Sequence, residues 1–316
     1  MSAWLYTKAS RTESAATAQA YREGMTVFRA LLRDQGLDLD SADERKIALT
    51  AQAFAEMRDG ARTRRPGQKV APGTYNQRLA IVSSFYDFAR KRRYLTRLNP
   101  IETLDRKPDK AYQSAQPLDA REVAGRLAAI DRETLDGMRD YALLVVGLST
   151  GRRLSELASL RWGSIEIAGG AITVLFHAKG GKVMRDKLTQ PVSDALMRWV
   201  YRWHGAGVAR LAPDAPVWVA LERNARGHTL TARAISDVVT KRLGDTKERG
   251  QPRKTVKVHR LRHTFAHTMD AVGAPVSEIQ ARLGHSSLQT TGRYLASLRS
   301  AENPYADQVA AMLGIK

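Results

Sequence analysis

The sequence predicts a mainly α-helical, two-domain protein whose second domain carries one small antiparallel β-sheet. Three observations support this. Apolar residues in the first hundred positions recur at helical spacing, a polar stretch at 105–117 holds two prolines and has no period, and between Ile165 and Leu188 the period drops to two. With 316 residues and 43% apolar content, each half can bury a core of its own.

Tyr21, Met25, Phe28 and Leu32 mark one helix of the first half. Leu79, Val82, Phe85 and Ala89 mark another, running from about Thr74 to Arg93. Both sets advance three or four residues at a time, which lays one apolar stripe down a helix. The first domain is therefore placed at 1–104, the linker "DRKPDKAYQSAQP" at 105–117 and the second domain at 118–316. In the second domain 118–130 and 133–148 read as helices, and a break at Thr150 and Gly151 restarts a helix within "TGRRLSEL". Ile165 and Ile167, then Ile172, Val174 and Phe176, alternate with other residues, and "KGGK" at 179–182 is the hairpin turn of the sheet they form. Residues 193–243 read as helix with one short apolar run, "VWVAL", and 259–316 as helices separated by Gly273 and Gly284.

Lys and Arg number 51 against 32 Asp and Glu, a formal charge of +19, so the expected partner is a polyanion, with nucleic acid first among them. The basic groups cluster. Arg62, Arg64 and Arg65 lie in "RTRRPGQK", Arg90, Lys91, Arg92 and Arg93 end a helix in "ARKRRY", and the run 241–262, with Lys254 and Lys257, holds nine cations against Asp245 and Glu248. Such clusters suit a clamp on a phosphate backbone, which grips without reading sequence. No run of about 18 apolar residues and no signal-like start is present, so no membrane partner and a cytoplasmic location are expected. The absence of cysteine excludes disulfides, thiolate zinc sites and a cysteine nucleophile. No P-loop and no clustered carboxylates for a metal pair are legible, so neither a cofactor nor a metal is expected.

Four short segments carry candidate chemistry. "TGRRLSEL" puts Arg153 in a first helical turn with Glu156 three positions on, within reach of its guanidinium, and a guanidinium held by a carboxylate is prepared to grip a phosphate at two points. The hairpin offers Lys179 or Lys182 at its tip. "HRLRH" sets His259, Arg262 and His263 on one face of a helix and Leu261, Phe265, Met269 and Val272 on the other, so the apolar face is expected to dock and the basic face to be presented. In "LGHSSLQTTGRY", His285 follows Gly284, a left-handed helix cap, and Tyr294 stands nine residues later beside Gly292. A phenol has a pKa near 10 and attacks a phosphodiester well only when a base or nearby cations help it lose its proton. Two arginines and two histidines supply that field.

In this order the segments resemble the tyrosine recombinase, or phage integrase, family, by motif over about 118–300. The helical first hundred residues resemble that family's core-binding domain, "TYNQRLAIVSSFYDFARKRRYLTRLNP" being similar to its last helix. The resemblance implies the family's catalytic fold for 118–316. It makes Arg153 and Arg262 the pair that holds the scissile phosphate, Lys179 the general acid for the leaving 5′ oxygen and Tyr294 the nucleophile. His259 and His285 bond the phosphoryl oxygens or take the nucleophile's proton, and Glu156 orients Arg153. It further implies double-stranded DNA as substrate, strand exchange through a Holliday junction in a homotetramer, exchange of a C-terminal helix (304–316) between subunits, and residence on the nucleoid, with no metal or ATP. Two positions depart from the pattern: Arg152 stands where an apolar residue is usual, and Ala178 where glycine is frequent. Lys182 competes with Lys179, and a type IB topoisomerase, a telomere resolvase or a catalytically silent DNA binder would share the fold.

Overall fold

The computed structural model describes residues 1–12, 15–57, 69–108, 117–178, 181–244 and 259–284, and the chain divides into two compact units, Met1–Ala111 and Tyr112–Lys316. The first unit is helical among its described residues. Helices α1 (Ser2–Thr12), α2 (Ala15–Asp34), α3 (Glu44–Glu56) and α4 (Pro72–Lys91) close around Trp4, Met25, Phe28, Leu32, Phe54, Leu79, Val82 and Tyr86, so both apolar stripes of the sequence face inward. Pro72 opens α4 where its missing N–H costs nothing, and Arg93, at φ 57, closes it in the left-handed region.

The second unit begins with α5 (Ala120–Ala128) and α6 (Leu135–Thr150), the latter capped by Thr134 Oγ1 accepting the Gly137 N–H and ended by Gly151 at φ 61. A short helix α7 (Leu154–Ala158) leads to strands β1 (Ile165–Ala168), β2 (Ala171–His177) and β3 (Val183–Lys187), antiparallel in the order β1, β2, β3. Helices α8 (Gln190–His204), α9 (Ala232–Leu243), α10 (His259–Ala271) and α11 (Val276–Leu283) follow. The core lies between α6, α8, α10 and the inner face of the sheet, filled by Leu143, Leu144, Ile172, Val174, Phe176, Trp199, Trp218 and Leu261. The architecture is the mainly helical one with a small antiparallel sheet that the periodicities predict.

Three expectations need correction. Residues 211–231 are not helical: "VWVAL" at 217–221 is largely buried and pairs across the chain through an isolated bridge, Val219 with Thr229, because a run apolar at every position suits an extended segment buried on both sides. Ile167 points to solvent, at the end of β1 where the sheet extends past its cover. On α10, Val272 is 77% exposed because that helix ends at Ala271, while Met269 packs beside Ala266, Ile279 and Leu283.

One buried interaction was not expected. Arg152 donates to Asp186 from Nε at 2.6 Å and from Nη2 at 2.9 Å, with its guanidinium over the ring of Phe176. Both partners are buried. Removing one member of such a pair strands the other's charge, so Arg152→Met should lower unfolding free energy by about 3–5 kcal/mol, whereas Arg152→Met with Asp186→Leu should come within about 1–2 kcal/mol of the parent. Urea unfolding of the two proteins checks both numbers.

Candidate active site

The turn from Thr150 to Arg153 is the hub. Gly151 is required there twice: its φ is positive, and a Cβ would run into the ring of Phe265 from α10. The chain then places Arg153 at the N-cap of α7 rather than in its first turn. Glu156 at the third helical position accepts the Arg153 backbone N–H at 2.9 Å through Oε2, and the Arg153 Nη1–H at 2.8 Å through Oε1. The carboxylate is buried while the arginine side chain stays 35% exposed. An ordinary surface pair would contribute at most about 1 kcal/mol. This one instead seats one edge of the guanidinium on a carboxylate that the helix terminus itself holds.

Arg262 departs from the expectation of a presented basic face. It is only 4% exposed, and its Nη1 donates to the Gly151 carbonyl at 2.9 Å while Nη2 donates to the carbonyl of Leu283. Helical periodicity shows which residues share a face but not that backbone carbonyls from two distant turns lie over it. The consequence is positional, since one side chain joins the turn before Arg153 to the turn at the end of α11. Gly284 closes that helix at φ 62, and a Cβ there would touch Met184 of β3 at 3.5 Å.

His259 opens α10, its ring 4.9 Å from that of His263 in an edge-to-face pair. Burial pushes its pKa below the ordinary histidine value, and the charges of Arg262 and Arg153 push it further the same way. The ring is therefore neutral at pH 7, with a lone pair able to take a proton. The sign of the linkage follows. Below about pH 6.5 the unfolded chain binds this proton before the folded chain does, so the group costs stability as pH falls and nothing above that range. His259→Gln should flatten part of the fall in unfolding free energy between pH 7 and 5, measured by urea titration at the two pH values.

These groups, Arg153, Glu156, His259 and Arg262, are brought together by one turn and two helices. Lys179, His285 and Tyr294 lie outside the described residues, as do Arg62, Arg64, Arg65, Lys254, Lys257 and the segment 304–316. Lys182 is exposed on the hairpin, its carbonyl accepting the Ala178 N–H at 2.7 Å. In the first unit Arg90, Lys91, Arg92 and Arg93 are all exposed at the end of α4, where the helix dipole also favours cations. Sequence reasoning noticed Arg152 but missed Asp186. The available signal was its phase: in β3 it falls on the inward positions with Met184, between outward Arg185 and Lys187.

Comparison with known proteins identifies the family and the fold. The family model described as "Phage integrase family" matches residues 117–300. A tyrosine recombinase XerC of Syntrophus aciditrophicus is 32% identical over 241 residues, 75% of this chain and 73% of that protein. A XerC of Xanthomonas campestris pv. campestris is 30% identical over 313 residues, covering 95% and 87%. Among solved structures, a lambda integrase dimer bound to a core site superposes with a TM-score of 0.64 at 15% identity, covering 96% of this chain and 79% of that one. The Tn1549 transposon integrase in complex with a circular intermediate DNA does so with 0.62 at 19% identity, covering 98% of each chain. No described helix is long and apolar enough to cross a membrane. With a family model over more than half its length and relatives at this identity, the chain belongs to the phage integrase family and is a site-specific recombinase of the tyrosine type.

Proposed function

We propose that the protein binds double-stranded DNA, cuts one strand by forming a 3′-phosphotyrosine on Tyr294 and rejoins it to a strand of a second duplex. The phenolic oxygen bonds to phosphorus, the P–O5′ bond breaks with its electron pair on O5′, and Lys179 gives O5′ a proton. The phenolic proton passes to a neutral histidine, His259 or His285. Arg153 and Arg262 hold the phosphoryl oxygens, offsetting the charge that builds on them in the transition state. A 5′ hydroxyl from the other duplex then attacks the phosphotyrosine. Each ester broken is replaced by an ester formed, so the exchange needs no ATP, and the two guanidiniums do the electrostatic work that a divalent cation does in other nucleases. The observation that carries this reading is the convergence at Gly151: Arg262 bridges the turn of Arg153 to the turn preceding His285, with neutral His259 alongside.

The first unit acts as the core-binding half of a clamp through Arg62, Arg64, Arg65, Arg90, Lys91, Arg92 and Arg93, and Lys254 and Lys257 add phosphate contacts from the second. Four copies act on two duplexes through a Holliday junction, on the nucleoid. Each copy gives residues 304–316 to its neighbour. An apolar groove of about 400 Å³ between α5, α6 and α10, lined by Val123, Leu127, Leu148, Phe265, Met269 and Val272, supports that exchange, since Val309, Met312, Leu313 and Ile315 would match it. Deleting 304–316 should leave phosphotyrosine formation within about 10-fold of the parent and abolish complete recombination, because a helix docked between subunits contributes association rather than chemistry. An undiminished yield from the truncated protein would remove the exchange from the reading.

The function as a whole is tested on a plasmid with two copies of the chain's own site. Recombinant products are expected. Relaxation of supercoils without recombinants would instead favour a topoisomerase-like enzyme, and binding without any covalent adduct a silent DNA binder.

A further inference from the structure

The geometry points to Arg152 and Asp186 as positioning residues for the general acid step, tying strands β2 and β3 to the turn that bears Arg153. The inference rests on Lys179 as the acid that protonates O5′. Arg152 directly precedes Arg153, and Asp186 lies on the strand that leaves the hairpin. The two are 34 residues apart in sequence and meet through two near-parallel hydrogen bonds. Two bonds between planar groups fix orientation as well as distance, which one bond or an apolar contact does not. Stability alone is a poor reason for the pair, since burying both charges costs about what their attraction returns.

The strand transmits the constraint. Asp186 stands opposite Val174, Met184 opposite Phe176, and Ala178 N–H closes the hairpin on the Lys182 carbonyl at 2.7 Å. Backbone paired in this way moves as one piece, so fixing Asp186 fixes the hairpin base four residues further along. A second tie acts on the same strand from α11. Arg282, whose Nε donates to Glu278 at 2.8 Å, brings its Nη1 within 3.7 Å of Asp186 Oδ1, and Met184 lies against Gly284. β3 is thus tied at neighbouring inward positions to both turns that Arg262 already joins.

The test separates proton donation from every other contribution. Single-turnover cleavage is measured on two suicide DNAs, one with the ordinary bridging 5′ oxygen and one with sulfur in its place. Sulfur departs as a thiolate and needs no proton, so a defect confined to the acid disappears on it. Asp186→Asn is expected to cleave ordinary DNA about 10- to 100-fold more slowly, a fraction of what general acid catalysis is worth, and sulfur-bridged DNA within about 2-fold of the parent. Lys179→Ala, run beside it, should show the same pattern more deeply. Equal slowing of Asp186→Asn on both substrates, or none on either, with Lys179→Ala rescued by sulfur, overturns the positioning role and leaves the lysine's role intact. Failure of sulfur to rescue Lys179→Ala removes the acid assignment and this inference with it. If Asp186→Asn does not fold, Arg152→Lys carries the same comparison, because it keeps both charges and loses only the two-point geometry.

Discussion

Replacing Tyr294 with phenylalanine is expected to lower covalent protein–DNA adduct on a nicked suicide substrate by on the order of 10⁴-fold or more, because removing a nucleophile removes the step itself rather than a contribution to its rate. Binding should be nearly unchanged: the deleted oxygen carries no charge, whereas the affinity of a chain with formal charge +19 comes from cations meeting phosphates. The two results together are diagnostic. An adduct that persists in Tyr294→Phe places the nucleophile on another hydroxyl. A parallel loss of binding would mean that the substitution disturbed the fold, and a second substitution at the same position would be needed before the chemistry could be assigned. The phenol also needs a proton acceptor, and the lowered pKa of His259 keeps one available at neutral pH. Cleavage by the parent should therefore hold its rate to somewhat below the ordinary histidine range before falling.

What could be read from the sequence follows from the range of the forces involved. Gly151 and Gly284 were recognisable because local sterics set the conformation of a helix end, and both adopt positive φ. The hairpin and the alternation of Ile172, Val174 and Phe176 were recognisable because a strand repeats every two residues. The pairing of Arg153 with Glu156 needed only three residues of spacing. Contacts between distant segments could not be read in this way. Helical phase puts Arg262 with two histidines on a face presumed open, but the carbonyls of Gly151 and Leu283, 111 and 21 residues away, cover it. Arg152 stood out as a charge at an apolar position, and its explanation lay in Asp186 on a strand whose inward phase the sequence pattern did not extend to. "VWVAL" is fully apolar, and neither period distinguishes its bridged, extended course from a buried helix.

The two arginines should fail differently when each is changed to lysine. At Arg153, lysine keeps the charge and the backbone N–H that Glu156 accepts, and only the Nη1–H bond to the buried carboxylate is given up, so stability should fall by no more than about 1.5 kcal/mol. The planar fork is lost, and with it one of the preorganised donors on the phosphoryl oxygens, which should slow single-turnover cleavage by about 10²–10³-fold. At Arg262 the same substitution must also give up a bond to one of two carbonyls, because an ammonium is a compact point charge and cannot span both. A buried carbonyl left without its charged donor costs about 1–3 kcal/mol, so Arg262→Lys should show that loss in urea unfolding on top of a comparable fall in cleavage rate. Joining the turns and stabilising the transition state are then the same guanidinium's two contributions, and the double variant Arg153→Lys/Arg262→Lys separates them. If Arg262 acts on cleavage mainly by placing the turn of Arg153, the double variant should cleave no more slowly than Arg153→Lys alone. If both contact the phosphate independently, the two rate losses should multiply.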